Sequence, residues 1–239
     1  MRHEPDLRAS YLLRLLPPEE MRRTGERVVV EVFAPGDILR AQAIGSFVRF
    51  PLTAVFALLA TEAGGAGIAV GSVGPEGAGG LNQALGAPAP HLDLVCLVGG
   101  SIASLPIAEF RRVLEAQPSF RWAVVRYLGA RDVLIAQMAV CNRFHPLDAR
   151  LARLLLTTND RIGGRPIPAT HELLALLLGV SRPKVSSAMD ALRRSGLLAT
   201  RPGEIRVLDA AGLREVSCPC YEVIREVLTS LHEARAPGP

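Results

Sequence analysis

The sequence has little of several features that mark other classes of protein. Lys184 is its only lysine, so nearly all of its positive charge is arginine. Four cysteines in 239 residues are too few and too scattered for a disulfide-stabilised scaffold. The longest apolar run, residues 50–60, is far shorter than the ~20 residues that span a bilayer. The charged N-terminal residues also lack the apolar core of a secretory signal. These absences predict a cytoplasmic protein without membrane segments.

The positive charge is unevenly distributed along the chain. The net charge is +4, and all of the excess lies from Arg143 onward, where there are 14 basic and 10 acidic residues. Residues 161–206 alone contain eight basic and three acidic residues. A basic segment beside a neutral one indicates a polyanionic partner, although a solvated basic face has the same composition.

Residues 28–107 contain short runs of β-branched and aromatic residues, separated by glycine-rich turns. This pattern predicts the strands of a β-roll or barrel. Residues 120–142 then predict a helix of about six turns. Its apolar stripe can be a core face or a dimer seam. The stripe consists of Val124, Leu128, Ile135 and Met138.

The C-terminal zone reads as further helices and a small hairpin. The chain is therefore predicted to be an α+β protein with three parts. These are a β-roll sensor domain (residues 1–118), a dimerisation helix (119–145) and a winged helix-turn-helix domain (146–239).

The stretch THELLALLLGVSRPKVSSAMDALRRSGLL, which begins at Thr170, carries the most specific pattern. Thr170 can cap a leucine-rich helix, and Gly179 stands where that helix must end and the chain reverse. Ser181 can cap the next helix, which tolerates Pro183 in its first turn. Two helices joined by a tight glycine turn predict a helix-turn-helix rather than an ordinary packed hairpin.

The second of these helices has a basic, hydroxyl-rich N-terminal face. Arg182, Ser186 and Ser187 are predicted to point outward, with Lys184 beside them. Arginine pairs with guanine, serine bonds base edges or phosphate, and lysine neutralises phosphate. A hairpin around Arg201 follows directly and can serve as a wing that reaches the DNA backbone.

Taken together, a β-rich N-terminal half, a long helix and a winged helix-turn-helix resemble the Crp/Fnr family of transcription regulators. The match is strongest from CNRFHPLDARLARLLL through the wing. The resemblance implies a homodimer on double-stranded DNA, with RNA polymerase as a further partner. It implies phosphate contacts for Thr170 and Lys184 and base reading for Arg182, Ser186 and Ser187. Pro183 and Ser187 replace a glutamate and an arginine of other members, which changes the expected DNA sequence.

The resemblance also implies a cyclic-nucleotide-type β-roll, but the phosphate-binding residues are missing. The equivalent segments are residues 77–81 and 88–91, and Ala78 stands where a glutamate is expected. Residues 50–110 contain neither arginine nor lysine, and His91 and Glu76 are poor substitutes. A buried phosphodiester without a cation is costly. We therefore expect no cyclic nucleotide and no other cofactor, and the effector stays unknown.

Cys218 and Cys220 form the only closely spaced cysteine pair. A redox or metal pair is one alternative, but with one residue between them and no nearby third ligand expected the signal is weak. No metal site is predicted, and packing is the favoured role. The sequence shows no catalytic pair, so an enzyme is not expected. The main alternative is an effector-binding module that acts through protein partners without binding DNA. Binding to duplex DNA with steep salt dependence separates the two hypotheses.

Overall fold

The computed structural model describes residues 6–41, 46–62, 64–87 and 92–233. Two short 3-10 helices, Leu7–Ala9 and Leu13–Leu15, lie near the start. The strands are β1 (Val29–Phe33), β2 (Ile38–Leu39), β3 (Phe47–Pro51), β4 (Val55–Thr61), β5 (Gly67–Val73), β6 (Leu92–Val98), β7 (Gly100–Pro106), β8 (Leu198–Arg201) and β9 (Glu204–Val207). The α-helices are α1 (Pro18–Gly25), α2 (Leu81–Ala84), α3 (Ile107–Ala116), α4 (Pro118–Phe144), α5 (Leu147–Arg161), α6 (His171–Leu178), α7 (Arg182–Arg194), α8 (Ala210–Val216) and α9 (Cys220–Glu233).

The N-terminal half is a roll of two antiparallel sheets. One sheet has the strand order β1-β7-β3 and the other β2-β6-β4-β5. Phenylalanines from β3, β4, α3 and α4 fill the space between the sheets and helices, and all are fully buried. They are Phe50, Phe56, Phe110 and Phe120. The α+β fold with an N-terminal β-roll, predicted from the sequence, is therefore confirmed.

Strand β4 is buried on both of its faces. Phe56 and Leu58 point into the roll, while Val55, Ala57 and Leu59 point to the opposite side and pack with the C-terminal helices. Successive side chains of a strand alternate between faces, so two apolar environments require a nearly continuous apolar sequence. This explains the apolar run at residues 50–60. One hydrophobic core therefore joins the sensor sheet to the C-terminal domain.

The long helix α4 spans 27 residues and has apolar residues on two sides. The stripe predicted at Val124, Leu128, Ile135 and Met138 is a core face and not a dimer seam, because Val124 and Met138 are buried within the chain. Leu128 also packs against the roll, and Ile135 approaches β5 at Gly71. A different stripe is exposed on α4. It consists of Val125, Gly129, Val133, Ala136, Val140 and Phe144.

The last helix, α9, returns to the N-terminal domain. Leu231 is buried in the core of the roll, and its carbonyl accepts a hydrogen bond from the hydroxyl of Tyr11. Helix α9 also packs along α4 and α5. Among the described residues, no helix has the length and apolarity that crossing a membrane requires.

Candidate nucleic-acid interface

Helices α6 and α7 form the predicted helix-turn-helix. Thr170 caps α6, and its hydroxyl accepts a hydrogen bond from the backbone N–H of Leu173 at 3.2 Å. Gly179 follows α6 with φ +64°, a left-handed conformation that costs glycine little. Its Cα packs against Ile68 of β5, where an added Cβ would lie 3.0 Å from Ile68 Cδ1. The turn therefore needs glycine for its backbone and also for this close approach to the sensor sheet.

Helix α7 presents its N-terminal end to solvent. Ser181 occupies the N-cap position, but its hydroxyl makes no cap hydrogen bond. Arg182, Lys184 and Ser187 are exposed, as predicted. Ser186 is only half-buried, and its hydroxyl lies 2.9 Å from Nδ1 of His171 on α6. The outward orientation predicted for Ser186 is therefore only partly correct.

Arg182 is paired with a carboxylate on the neighbouring helix. Its Nε lies 2.8 Å from Oε1 of Glu172, and both side chains are more than half exposed. An ion pair at this level of exposure contributes about 0–1 kcal/mol. Such a pair can open when a stronger acceptor approaches. Sequence reasoning missed Glu172, although it stands beside Thr170 at the start of α6.

The wing consists of β8 and β9, joined by a turn at Pro202 and Gly203. Arg201 is exposed at the end of β8, opposite Glu204 in the strand register. The hairpin is anchored by two backbone hydrogen bonds between Ile167 and Ile205, of 2.7 and 2.9 Å. Arg201 is therefore held on a fixed hairpin next to α7, as predicted for a wing.

The sensor segment at residues 77–79 already has partners for two of its backbone amides. The N–H of Gly77 donates to the Gly74 carbonyl (3.0 Å), and the N–H of Gly79 donates to the Arg49 carbonyl (2.8 Å). Residues 88–91, the other part of the predicted phosphate segment, lie outside the described residues. These two amides would have to lose their partners before they could bind phosphate.

The cavity beside these glycines is small. It has a volume of about 20 Å³ and is lined by Gly79, Gly80, Leu94 and Arg131, among others. A cavity of this size has room for about one water molecule, whereas ligand pockets measure about 300–1,000 Å³. Arg131 belongs to α4, so sequence reasoning confined to residues 50–110 missed this cation.

Glu76, in the loop after β5, joins the sensor to the C-terminal domain. Its Oε1 lies 2.8 Å from Nη2 and 3.2 Å from Nε of Arg161, at the end of α5. Oε1 also accepts the backbone N–H of Gly74 at 3.1 Å. Desolvation alone would raise the pKa of Glu76, but the charge and hydrogen bonds of Arg161 outweigh it and lower the pKa. Glu76 is therefore a buried carboxylate whose counter-ion comes from the other domain.

The cysteine pair has neighbours that the sequence analysis did not expect. Cys141, from the last turn of α4, and His145, the C-cap residue after it, lie beside Cys218 and Cys220. The expectation that no third ligand is nearby is therefore wrong. A hydrogen bond joins Cys141 Sγ and Cys218 Sγ at 3.5 Å, and this bond, helped by the charge of Arg153, lowers the pKa of Cys141.

The comparisons with known proteins agree with this geometry. Residues 149–216 match the family described as the Crp-like helix-turn-helix domain. A putative transcriptional regulator of the crp/fnr family from Eubacterium rectale superposes with a TM-score of 0.64 at 14% identity, and the match covers 87% of this chain and 98% of that one. FixK2 from Bradyrhizobium japonicum superposes with a TM-score of 0.65 at 13% identity, over 80% and 98% of the two chains. No curated protein matches the chain significantly.

The β-roll, the long helix and the exposed basic helix beside a wing form the same architecture as these solved regulators. The c-di-GMP responsive regulator CLP from Xanthomonas campestris has the same fold, with a TM-score of 0.63 at 14% identity over 81% of this chain and all of that one. The chain thus has the Crp/Fnr fold with a Crp-like helix-turn-helix domain, and the resemblance predicted from the sequence is confirmed.

Proposed function

We propose that the protein is a homodimeric transcription regulator that binds specific sequences in double-stranded DNA. The observation that carries this proposal is the exposed cluster of Arg182, Lys184 and Ser187 at the N-terminal end of α7, beside the wing. The aligned peptide dipoles of a helix make its N-terminus favourable for phosphate oxygens. The surrounding residues 161–206 add a local excess of positive charge.

Each exposed side chain has a role that fits its chemistry. Arg182 exchanges Glu172 for the two acceptors of a guanine, because a guanidinium can bond both at once. Lys184 and Arg201 neutralise phosphates on either side of the groove, and Ser187 reads a base edge. Thr170 and Ser181 are expected to contact phosphates. Ser186 is expected either to contact a base or, through its hydrogen bond with His171, to hold α7 in position against α6.

Selection of bound fragments from random duplex DNA, followed by titration, tests this proposal. Arg182→Ala should weaken binding to the selected site by ~1–3 kcal/mol and relax the preference mainly at one base pair per half-site. Arg23→Ala, which removes an exposed arginine from α1 of the sensor domain, is the matched control and should bind normally. If the wild-type protein binds no duplex DNA, the chain acts instead through a protein partner.

We propose that the exposed stripe of α4 forms the dimer interface. The exposed fractions of its larger members are 61% for Val125, 50% for Val133, 45% for Val140 and 71% for Phe144. Together with Gly129 and Ala136 they recur every three or four residues, so they lie on one side of the helix. Gly129 lies among them with open space where a Cβ would be, which leaves room for a second helix to approach closely. The partner we infer is a second copy of α4.

Charge substitutions on this stripe test the dimer. The double variant Val133→Glu and Val140→Glu should sediment as a monomer and bind DNA weakly, because a dimer reads two half-sites about 34–36 Å apart. Val32→Glu, at a valine that is 81% exposed on β1, is the control and should remain dimeric. An unchanged dimer in the double variant would place the interface elsewhere.

We further propose that DNA binding does not depend on cyclic AMP or cyclic GMP. The occupied amides of Gly77 and Gly79 and the small cavity beside them support this. Calorimetric titration with either nucleotide should give no binding at physiological concentrations, and the DNA affinity should stay unchanged. A micromolar binding signal that is lost on changing residues 77–81 would contradict the proposal. We expect the protein to act in the cytoplasm, without enzymatic activity, and with RNA polymerase as its further partner.

A further inference from the structure

Four metal-ligating side chains meet where the long helix ends. Cys141 lies in the last turn of α4, and His145 is the C-cap residue that follows the helix with an extended backbone. Cys218 and Cys220 come from the short connection between α8 and the first turn of α9. The ligand atoms of all four lie within 4.8 Å of one another. The three cysteines are fully buried and are not in disulfides.

The measured separations fit a tetrahedral ion. Cys141 Sγ lies 3.5 Å from Cys218 Sγ, and Cys220 Sγ lies 3.4 Å from His145 Nδ1. Zinc–sulfur bonds of about 2.3 Å and zinc–nitrogen bonds of about 2.0–2.1 Å give tetrahedral edges of about 3.8 Å and 3.6 Å. The most distant pair of ligand atoms, up to 4.8 Å apart, has to approach by about 1 Å to reach such an edge, which small side-chain rotations can supply. A disulfide, at about 2.05 Å, is much shorter than the distance between the two sulfurs.

Two neighbouring residues complete the surroundings that a thiolate site needs. Gln137 donates from Nε2 to Cys220 Sγ at 3.1 Å, which orients this sulfur. Arg153 is 8% exposed, and its Nε is buried with no hydrogen-bond partner among the described residues. A zinc ion with three thiolates and a neutral imidazole has a net charge of −1. Arg153, whose charge acts on Cys141 and Cys218, supplies the opposite charge.

We propose that Cys141, His145, Cys218 and Cys220 bind one zinc ion, which ties the end of the long helix to the last helix. Soft thiolate ligands favour zinc over hard divalent ions, and four protein ligands make a closed structural site. The backbone N–H of Cys218 also donates to the Ala149 carbonyl in α5 at 3.3 Å. The ion would therefore hold the junction at Pro146, through which the sensor half is connected to the helix-turn-helix.

Metal analysis of the full-length protein under reducing conditions tests this proposal. Protein stripped with a chelator should take up one zinc per chain, and its melting temperature should rise. Cobalt(II) in place of zinc should give the intense visible absorption of a tetrahedral thiolate complex. His145→Ala, at a half-buried position, should abolish stoichiometric binding while the far-ultraviolet circular dichroism stays unchanged. Gln137→Leu keeps all four ligands and should weaken zinc binding about 10–100-fold.

Cys96→Ala is the matched control, because Cys96 is equally buried but lies in the roll, away from the cluster. It should bind zinc as the wild type does. Absence of stoichiometric zinc in the reduced wild-type protein would overturn the proposal. So would a cobalt spectrum that His145→Ala leaves unchanged, or a Cys141–Cys218 disulfide that forms in the presence of excess zinc.

Discussion

The buried ion pair between Glu76 and Arg161 joins the two halves of the chain, and its contribution to stability can be tested directly. The two side chains are 9% and 8% exposed, and the bond is bidentate from the guanidinium to a single carboxylate oxygen. Glu76→Gln keeps an oxygen for the backbone N–H of Gly74 but removes the negative charge. Arg161 is then left as a buried cation without its counter-ion, and removing one partner of a buried pair costs about 3–5 kcal/mol.

Chemical denaturation followed by circular dichroism measures this cost. Glu76→Gln should lower the free energy of unfolding by about 3–5 kcal/mol, whereas the double variant Glu76→Leu and Arg161→Met should recover most of the loss. Asp190→Asn removes an exposed ion pair with Arg193 and should change stability by less than about 1 kcal/mol. A loss below about 1 kcal/mol in Glu76→Gln would refute the reasoning, because water would then be solvating Arg161 in place of Glu76.

The same pair predicts a pH dependence. The folded pKa of Glu76 lies below its ordinary value of 4.5. As the pH falls, Glu76 therefore binds a proton in the unfolded chain before it does so in the folded chain. Its contribution to the free energy of unfolding is fully present above pH 4.5 and is lost as the pH falls through the lower, folded pKa. The difference in unfolding free energy between the wild type and Glu76→Gln should shrink below pH 4.5. A difference that stays constant down to pH 2 would show that the charge of Glu76 is not its cause.

Three further predictions concern the helix-turn-helix. Glu172→Gln releases Arg182 and should raise DNA affinity by a factor of up to about five, as measured by titration; a lower affinity would mean that Glu172 positions the arginine. Lys184→Ala should weaken binding similarly on all sequences and reduce the slope of log K against log salt by about one per half-site. Gly179→Ala should cost ~1–2 kcal/mol of stability because its φ is left-handed, and the contact with Ile68 should add to this loss; unchanged denaturation would refute the role given to the turn.

The helix-turn-helix could be predicted from sequence because its signals are local. Caps, a turn glycine and leucine spacing all act within a few residues of one another, and the structure places Thr170 and Gly179 in the predicted positions. Strand β5 is hard to predict from sequence because Gly67 and Gly71 within it suggest turns. Gly71 lies opposite Leu58 and Ile135, so the absent side chain lets α4 approach the sheet.

The exposed stripe of α4 and the cysteine cluster could not be predicted from local sequence patterns. Helix α4 is apolar on two sides, and the period of the sequence cannot tell which side meets the roll. Cys141 and Cys218 are 77 residues apart, and only the return of α9 along α4 brings them together. The i, i+4 spacing of Cys141 and His145 was the one signal in the sequence that could have suggested a third and a fourth ligand.

The double-sided burial of β4 has a consequence for signalling. A molecule that binds the roll and shifts β4 necessarily changes the surface against which α5 and α6 pack, because the same strand forms both walls. Close-packed interiors deform little, so the helices are expected to redistribute between two discrete docked arrangements. An effector then needs differential affinity for these arrangements and no direct contact with the DNA-reading helix. Substitutions at Val55, Ala57 or Leu59 should accordingly shift the equilibrium between these arrangements in the absence of any effector.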